Sequence, residues 1–366
     1  MYQFFFPFSL FLSASLLFII QPMVAKVLLP TYGGTPAVWT VCMLFFQMLL
    51  LLAYAYVWVL SKFKGRYTWR VIHLFICILS LSVLPLAFLP VAGSGAPELS
   101  ILKNLLIQLG LPLLVVGASA PLLQYAFSQT TGKRAADPFF LYVASNIGSL
   151  LALISYPWLV ERYTGIHRQF YDWNIIYLLY LIVLAGLLFM VRYKPSIKAD
   201  VKTENIAWSR RFLWVFLSFV PCSLMLGVTF YISTDVAATP IFWVLPLALY
   251  LLSFVITFAR QPLITHAWVV RNTLFILLFP LLGFVFGIHH MSMVQLIIVN
   301  LLGFFLLALL CHGELVRARP DAHQLPTFYF FLALGGVLAG IFNGLIESVN
   351  IFPRRFFFLP ASFYFI

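Results

Sequence analysis

Charge is what this sequence has least of. Only 9% of its 366 residues are Asp, Glu, Lys or Arg, against about 25% in an ordinary globular protein. Hydrophobic residues make up 63%, and phenylalanine alone fills 39 positions. So few ionic groups cannot cover that much apolar surface in water, which excludes a soluble fold and makes lipid the solvent. Cysteine is sparse too. Cys42, Cys77, Cys222 and Cys311 all fall in apolar stretches, without CxxC or other metal-ligand spacing. They read as small buried hydrophobes, so neither a disulfide framework nor a metal site is expected. Phosphate cradles are missing: there is no G-x-G-x-x-G after a strand and no Walker lysine motif. No soluble stretch could hold a nucleotide-binding domain, and no nucleophile constellation appears. No cofactor is therefore expected, and an enzyme acting alone is the least favoured class. The N-terminus lacks a basic n-region and a small-residue cleavage site, so its first apolar run reads as a retained helix.

What is present is a series of long apolar runs. A hydrocarbon core about 30 Å thick needs roughly 20 residues of helix. Eleven segments meet that length, at 4–24, 37–60, 71–91, 105–126, 138–160, 173–191, 212–232, 240–258, 272–288, 291–311 and 327–346. The runs are continuous rather than alternating, which favours helices over barrel strands. The expected fold class is an all-α polytopic membrane protein. Basic residues fix its orientation. With the N-terminus in the cytoplasm, inside loops carry 16 Lys and Arg, outside loops carry Lys26, Lys103, Arg162 and Arg168, and Arg354 and Arg355 follow the last span. That bias places the N-terminus inside and explains the net charge of +12 without nucleic acid. The lipid bilayer is the expected partner.

One internal echo organises the chain. Thr35-Pro36-x-x-Trp39 opens the second segment and Thr239-Pro240-x-x-Trp243 the eighth, an offset of 204 residues and six spans. Both copies then run in the same direction, as in a parallel six-plus-six repeat of facilitator type. The alternative is that Thr-Pro marks any helix start, because proline suits a first turn. On the repeat reading, 1–192 is a first half of six helices, 193–211 a basic cytoplasmic linker, 212–346 a second half of five, and 347–366 a divergent tail. Phe356 to Ile366 is too short to cross a bilayer, so the chain is expected to be the membrane part of something larger.

Polar groups inside lipid are costly and therefore functional candidates. Gln21 and Lys26 flank the outer end of the first segment, where they either bind an anionic or carbonyl group or, for Lys26, snorkel to the interface. Asp235 precedes the second Thr-Pro element; it either attracts a cation or proton or caps a helix. Gln124 with Ser119, and Asn146 with Ser149, lie in the fourth and fifth segments, and Gln47 and Asn300 in others. Interhelical hydrogen bonding is the plain explanation for these. In Cys311-His312-Gly313-Glu314, His and Glu two apart share no helix face. Interface anchoring with Arg317 and Arg319 is thus the better reading of Glu314. His289-His290 makes a poor metal site without further ligands. Gly336, Gly340 and Gly344 place small residues on one face of the last segment, and Gly283 and Gly287 do so in the ninth, which signals close helix packing.

Several ordered blocks together resemble the membrane part of the bacterial fused major-facilitator/spermidine-synthase proteins. They are Gln21-Pro22-Met-Val-Ala-Lys26 through Trp39, Gly117-Ala-Ser-Ala-Pro121-Leu-Leu-Gln124, and Asp137-Pro-Phe-Phe-Leu-Tyr142-Val-Ala-Ser-Asn146-Ile-Gly148. Others follow at Ser233-Thr-Asp235 through Tyr250, at Cys311-His-Gly-Glu314-Leu, and at Leu334-Gly-Gly336-Val-Leu-Ala-Gly340-Ile-Phe-Asn343. The resemblance implies a bacterial inner-membrane location. It also implies a cytosolic aminopropyltransferase-like domain that this sequence does not contain, so that activity is not carried over. Two readings follow. The first is a membrane scaffold for a separately encoded synthase-like soluble domain. The second is a facilitator-like secondary carrier of a small solute, with a cation favoured by Asp235. Ser61-Lys-Phe-Lys-Gly-Arg-Tyr lacks the acid and first glycine of the usual facilitator loop motif, which counts against the second.

Overall fold

The computed structural model describes residues 2–33, 36–63, 68–89, 97–130, 135, 137–190, 206–235, 240–259, 261–278 and 292–349. These residues form helices and turns, with no strand among them. The helices are α1 (Tyr2–Tyr32), α2 (Pro36–Leu60), α3 (Thr68–Ser80), α4 (Pro97–Ser128), α5 (Phe140–Ser155) and α6 (Ile166–Met190). They continue with α7 (Trp208–Asp235), α8 (Pro240–Phe258), α9 (His266–Arg271), α10 (Met293–Arg317) and α11 (Leu325–Val349). Among the described residues eight helices are long and apolar enough to cross a membrane, and Thr68–Val83 and Val244–Phe258 are shorter apolar helices. The chain is an all-helical, multi-pass membrane protein. Most of the segment expected at 272–288, with His289 and His290, lies outside the described residues, as do 193–205 of the linker expected at 193–211 and 350–366 of the expected tail; α7 begins at Trp208, inside the expected linker.

Helix starts follow proline chemistry. Pro36, Pro97 and Pro240 each occupy the first helical residue, where a missing N–H costs nothing and the fixed φ is already helical. Both Thr-Pro elements thus open helices, although their threonines and the Trp39 and Trp243 side chains lie outside what is described.

The chain divides into two compact units. The first comprises Met1–Ala207 with Pro320–Ala333, the second Trp208–Arg319 with Leu334–Ile366. Within the first, α1 packs on α5, α6 and α4, while α2 and α3 pack on α4. The α1–α5 contact is tight because Gly148 has no side chain: a Cβ there would sit 2.5 Å from the Phe11 carbonyl oxygen. Ser15 Oγ donates to the Gly148 carbonyl at 3.1 Å across the same contact.

Helix α6 shows how such a unit sits in lipid. Trp173, Tyr177, Tyr180 and Leu184 are buried, whereas Ile175, Ile176, Leu178, Leu179 and Ile182 are exposed. Aliphatic residues face outward and hydroxyl-bearing rings inward, the reverse of a water-soluble helix, because only the interior offers partners. Tyr177 pairs with Ser80 at 2.6 Å and Tyr180 with Ser119, and Trp173 Nε1 donates to the Leu16 carbonyl at 3.0 Å.

The third segment departs from the expected helix at 71–91. It is helical to Ser80, makes one 3-10 turn over Leu81–Val83, and is then extended from Leu84. Pro85 is the cause, since the residue before a proline is pushed out of the α region. Side-chain amides take over the freed backbone groups. Leu86 N–H donates to Asn174 Oδ1 at 2.9 Å, and Asn174 Nδ2 donates back to the Leu86 carbonyl at 3.1 Å. Gln108 does the same for Leu89, both bonds at 2.9 Å.

In the second unit α10 packs on α7, α8 and α9. From Leu334 onward α11 also belongs to it. Its closest approach is at Gly335, where a Cβ would collide with the Ser218 hydroxyl and the Val215 carbonyl of α7. The Gly336 carbonyl receives Cys222 Sγ at 3.8 Å, and Asn343 Nδ2 donates to Ser223 Oγ at 2.9 Å. Gly340 and Gly344 lie further along the same helix.

Candidate functional site

In the first unit, buried polar groups converge on Gln124 of α4. The α11 residue Tyr329 donates its hydroxyl to Gln124 Oε1 at 2.7 Å. Both side chains are completely buried. Two further tyrosine rings enclose the pair. The Tyr54 ring of α2 meets Tyr329 edge-on at 5.9 Å, and the Tyr142 ring of α5 lies 5.5 Å from it on a tilt. Asn146, one turn beyond Tyr142, is also buried and donates Nδ2 to the Tyr142 carbonyl at 2.8 Å. Gln124 Nε2 is enclosed but has no hydrogen-bond partner among the described residues. An amide N–H left unpaired in a bilayer costs about 1–3 kcal/mol. The arrangement therefore holds a donor that a carbonyl or carboxylate oxygen would satisfy, walled by aromatic rings.

The other sequence candidates fall elsewhere. Gln21 Nε2 donates to Leu17 O of its own helix at 3.3 Å. Lys26 is half exposed and paired with Glu161 at 3.1 Å. Asp235 is the last residue of α7, and its side chain lies outside the described residues. Asn300 bonds within its own helix, to the Leu296 carbonyl at 2.7 Å.

Glu314 anchors a separate cluster in the second unit. His266 of α9 reaches Glu314 Oε1 through Nε2 at 2.6 Å, and Arg317 Nη1 lies 3.4 Å from the same oxygen. Gly313 makes this approach possible, because a Cβ there would collide with the His266 ring. His312 turns the other way, fully buried, stacked on Phe254 at 3.6 Å and bonded through Nδ1 to Ser253 at 2.7 Å. His312, Gly313 and Glu314 thus each have their own task, and His312 and Glu314 do not form one pair. No group of three or more potential metal ligands exists among the described residues.

No protein-family model and no curated protein sequence matches the chain. Solved structures do. The structure of a POT family transporter in complex with a thioalcohol conjugated peptide aligns over 97% of this chain and 92% of its own, at TM-score 0.54 and 15% identity. Another, of a POT family transporter in complex with 5-aminolevulinic acid, aligns over the same shares at TM-score 0.57 and 16% identity. The chain has a facilitator-type fold. At such identity the likeness concerns the fold alone. Within it, sequence reasoning selected Gln124, Asn146 and Glu314 but passed over Tyr54, Tyr142, Tyr329 and His266. A signal for the tyrosines was available: each phenol inside an apolar run must find a hydrogen-bond partner.

Proposed function

We propose that the chain is a facilitator-type secondary carrier of a small polar solute, and that Gln124 contacts the solute. The observation that carries this reading is the buried, unpartnered Gln124 Nε2 in its cage of tyrosines. A donor is held ready there with no structural duty of its own, and intramembrane polar groups of that kind mark substrate paths. The donor favours a solute with a carbonyl or carboxylate oxygen, and Tyr54, Tyr142 and Tyr329 supply flat apolar walls that also tolerate an ammonium group. The Lys and Arg bias supports an N-terminus in the cytoplasm, and the resemblance to bacterial fused facilitator/synthase proteins favours a bacterial inner membrane. The echo of Pro36 in Pro240 supports two halves meeting between residues 193 and 211.

The test is flux in proteoliposomes under an imposed gradient, with labelled dialanine, 5-aminolevulinic acid, putrescine and spermidine as probes. Wild-type protein should carry at least one of them, and Gln124→Leu should lower that flux about tenfold while remaining folded. No flux of any probe through folded wild-type protein would overturn the reading. The scaffold reading rests instead on the resemblance of the ordered blocks from Gln21 to Asn343 to fused facilitator/synthase proteins. It gains ground if a separately expressed aminopropyltransferase-like domain binds the purified chain while no probe moves.

A further inference from the structure

The His266–Glu314 cluster borders an open pocket of about 540 Å³ lined by His266, Ala267, Val270, Arg271 and Arg317. Its charges do not balance. Among the described residues, Glu314 is the carboxylate in contact with this cluster, and His266 and Arg317 already share it. Arg271 is exposed, and its side chain makes no ion pair or hydrogen bond among the described residues. The rest of the lining is apolar. Close by in sequence, the apolar residues Trp268, Leu274 and Phe275 are all exposed. Arg317 ends the apolar span Val294–Arg317, which places the pocket at a membrane–water boundary, where an exposed tryptophan such as Trp268 is at home.

We infer that this pocket is a site for a phosphate-bearing anion, and that the phosphate belongs to an anionic phospholipid. Two arginines lining one pocket suit the paired oxygens of a phosphodiester. Ala267 and Val270 offer a wall for the glycerol and first methylenes, which a free phosphate would leave unused. Basic pockets at helix ends bind anionic headgroups through this combination. His266, held by Glu314 against Gly313, completes the lining of the site.

The experiment uses the full chain in mild detergent and native mass spectrometry with added phosphatidylglycerol, phosphatidylcholine or inorganic phosphate. Wild-type protein should retain phosphatidylglycerol over phosphatidylcholine. Each of Arg271→Ala and Arg317→Ala should weaken that retention about fivefold, and the double variant more than either. Arg271→Gln, which removes the charge but keeps a polar side chain, should behave like Arg271→Ala, and Arg168→Ala in the first unit should change nothing. Shielding of the four cysteines, all buried, reports whether each variant is folded. Equal retention of phosphatidylglycerol by the folded double variant would overturn the site. Displacement of the lipid by an equal concentration of inorganic phosphate would overturn its assignment to a phospholipid.

Discussion

Replacing Asn174 by leucine tests the account of the third segment most directly. Asn174 carries both backbone groups of Leu86, and Leu86 is 3% exposed. Leucine keeps the same branched arrangement of four side-chain heavy atoms, while two buried polar groups lose their partners. A buried unsatisfied group costs about 1–3 kcal/mol, but transmembrane hydrogen bonds often measure nearer 0.6 kcal/mol because the loosened state finds other partners. Two groups at an intermediate value of about 1–1.5 kcal/mol each give roughly 2–3 kcal/mol, or about 30- to 150-fold more frequent opening of the segment. Cys77 reports that opening, because it is buried on α3 only a turn before the segment leaves the helix. The assay is the rate of Cys77 alkylation in detergent, in a protein whose other cysteines are replaced by alanine. Gln108→Leu is the internal comparison. It removes the same pair of bonds from Leu89, but Leu89 is 65% exposed. Water and headgroups can replace the lost amide there, so Gln108→Leu should raise alkylation less than about fivefold. Equal rates for the two variants would refute the argument that burial sets the cost.

Two further predictions concern glycines that sequence alone does not distinguish from their neighbours. Gly148→Ala should destabilise the first unit by about 1–3 kcal/mol, because its methyl meets the Phe11 backbone, which cannot swing aside; a thermal unfolding midpoint unchanged from wild type would contradict the packing. Gly313→Ala meets a side chain instead, so the His266 ring should move and release Glu314 at a smaller cost. In a His266→Ala background the same change should then be nearly silent, and additive effects in that double-mutant cycle would count against the contact.

Much of this architecture was legible because it depends on local chemistry. Apolar runs long enough to span, and the prolines that open helices at 36 and 240, act within a few residues of themselves. The third segment shows where that reading stops. Leu84-Pro85 marks the break, but a break in lipid is affordable only if something replaces the helical hydrogen bonds, and Asn174 lies 88 residues from Leu86. Helix length beyond the apolar core was underestimated for a related reason. At α4 and α6 the helix continues through Glu98 and Lys103, and through Arg168 and Asp172, polar residues that a hydropathy window assigns to loops.

The polar cluster sharpens the same point. Gln124 stood out because an amide is rare in an apolar run, and Asn146 for the same reason. Tyr329 did not, because a tyrosine among phenylalanines resembles core, and its partner lies 205 residues away. What decides between core and site is the remainder after pairing. Each of Tyr177, Tyr180 and Trp173 closes its account with one partner, and they read as structure. Gln124 does not: Tyr329 satisfies its oxygen and leaves its nitrogen enclosed and unmatched. If that nitrogen were merely tolerated, replacing Gln124 and Tyr329 together by leucine and phenylalanine would remove a buried polar liability and raise stability. If the solute uses it, the same double change should stabilise the protein and abolish flux together, an outcome a purely structural pair would not produce.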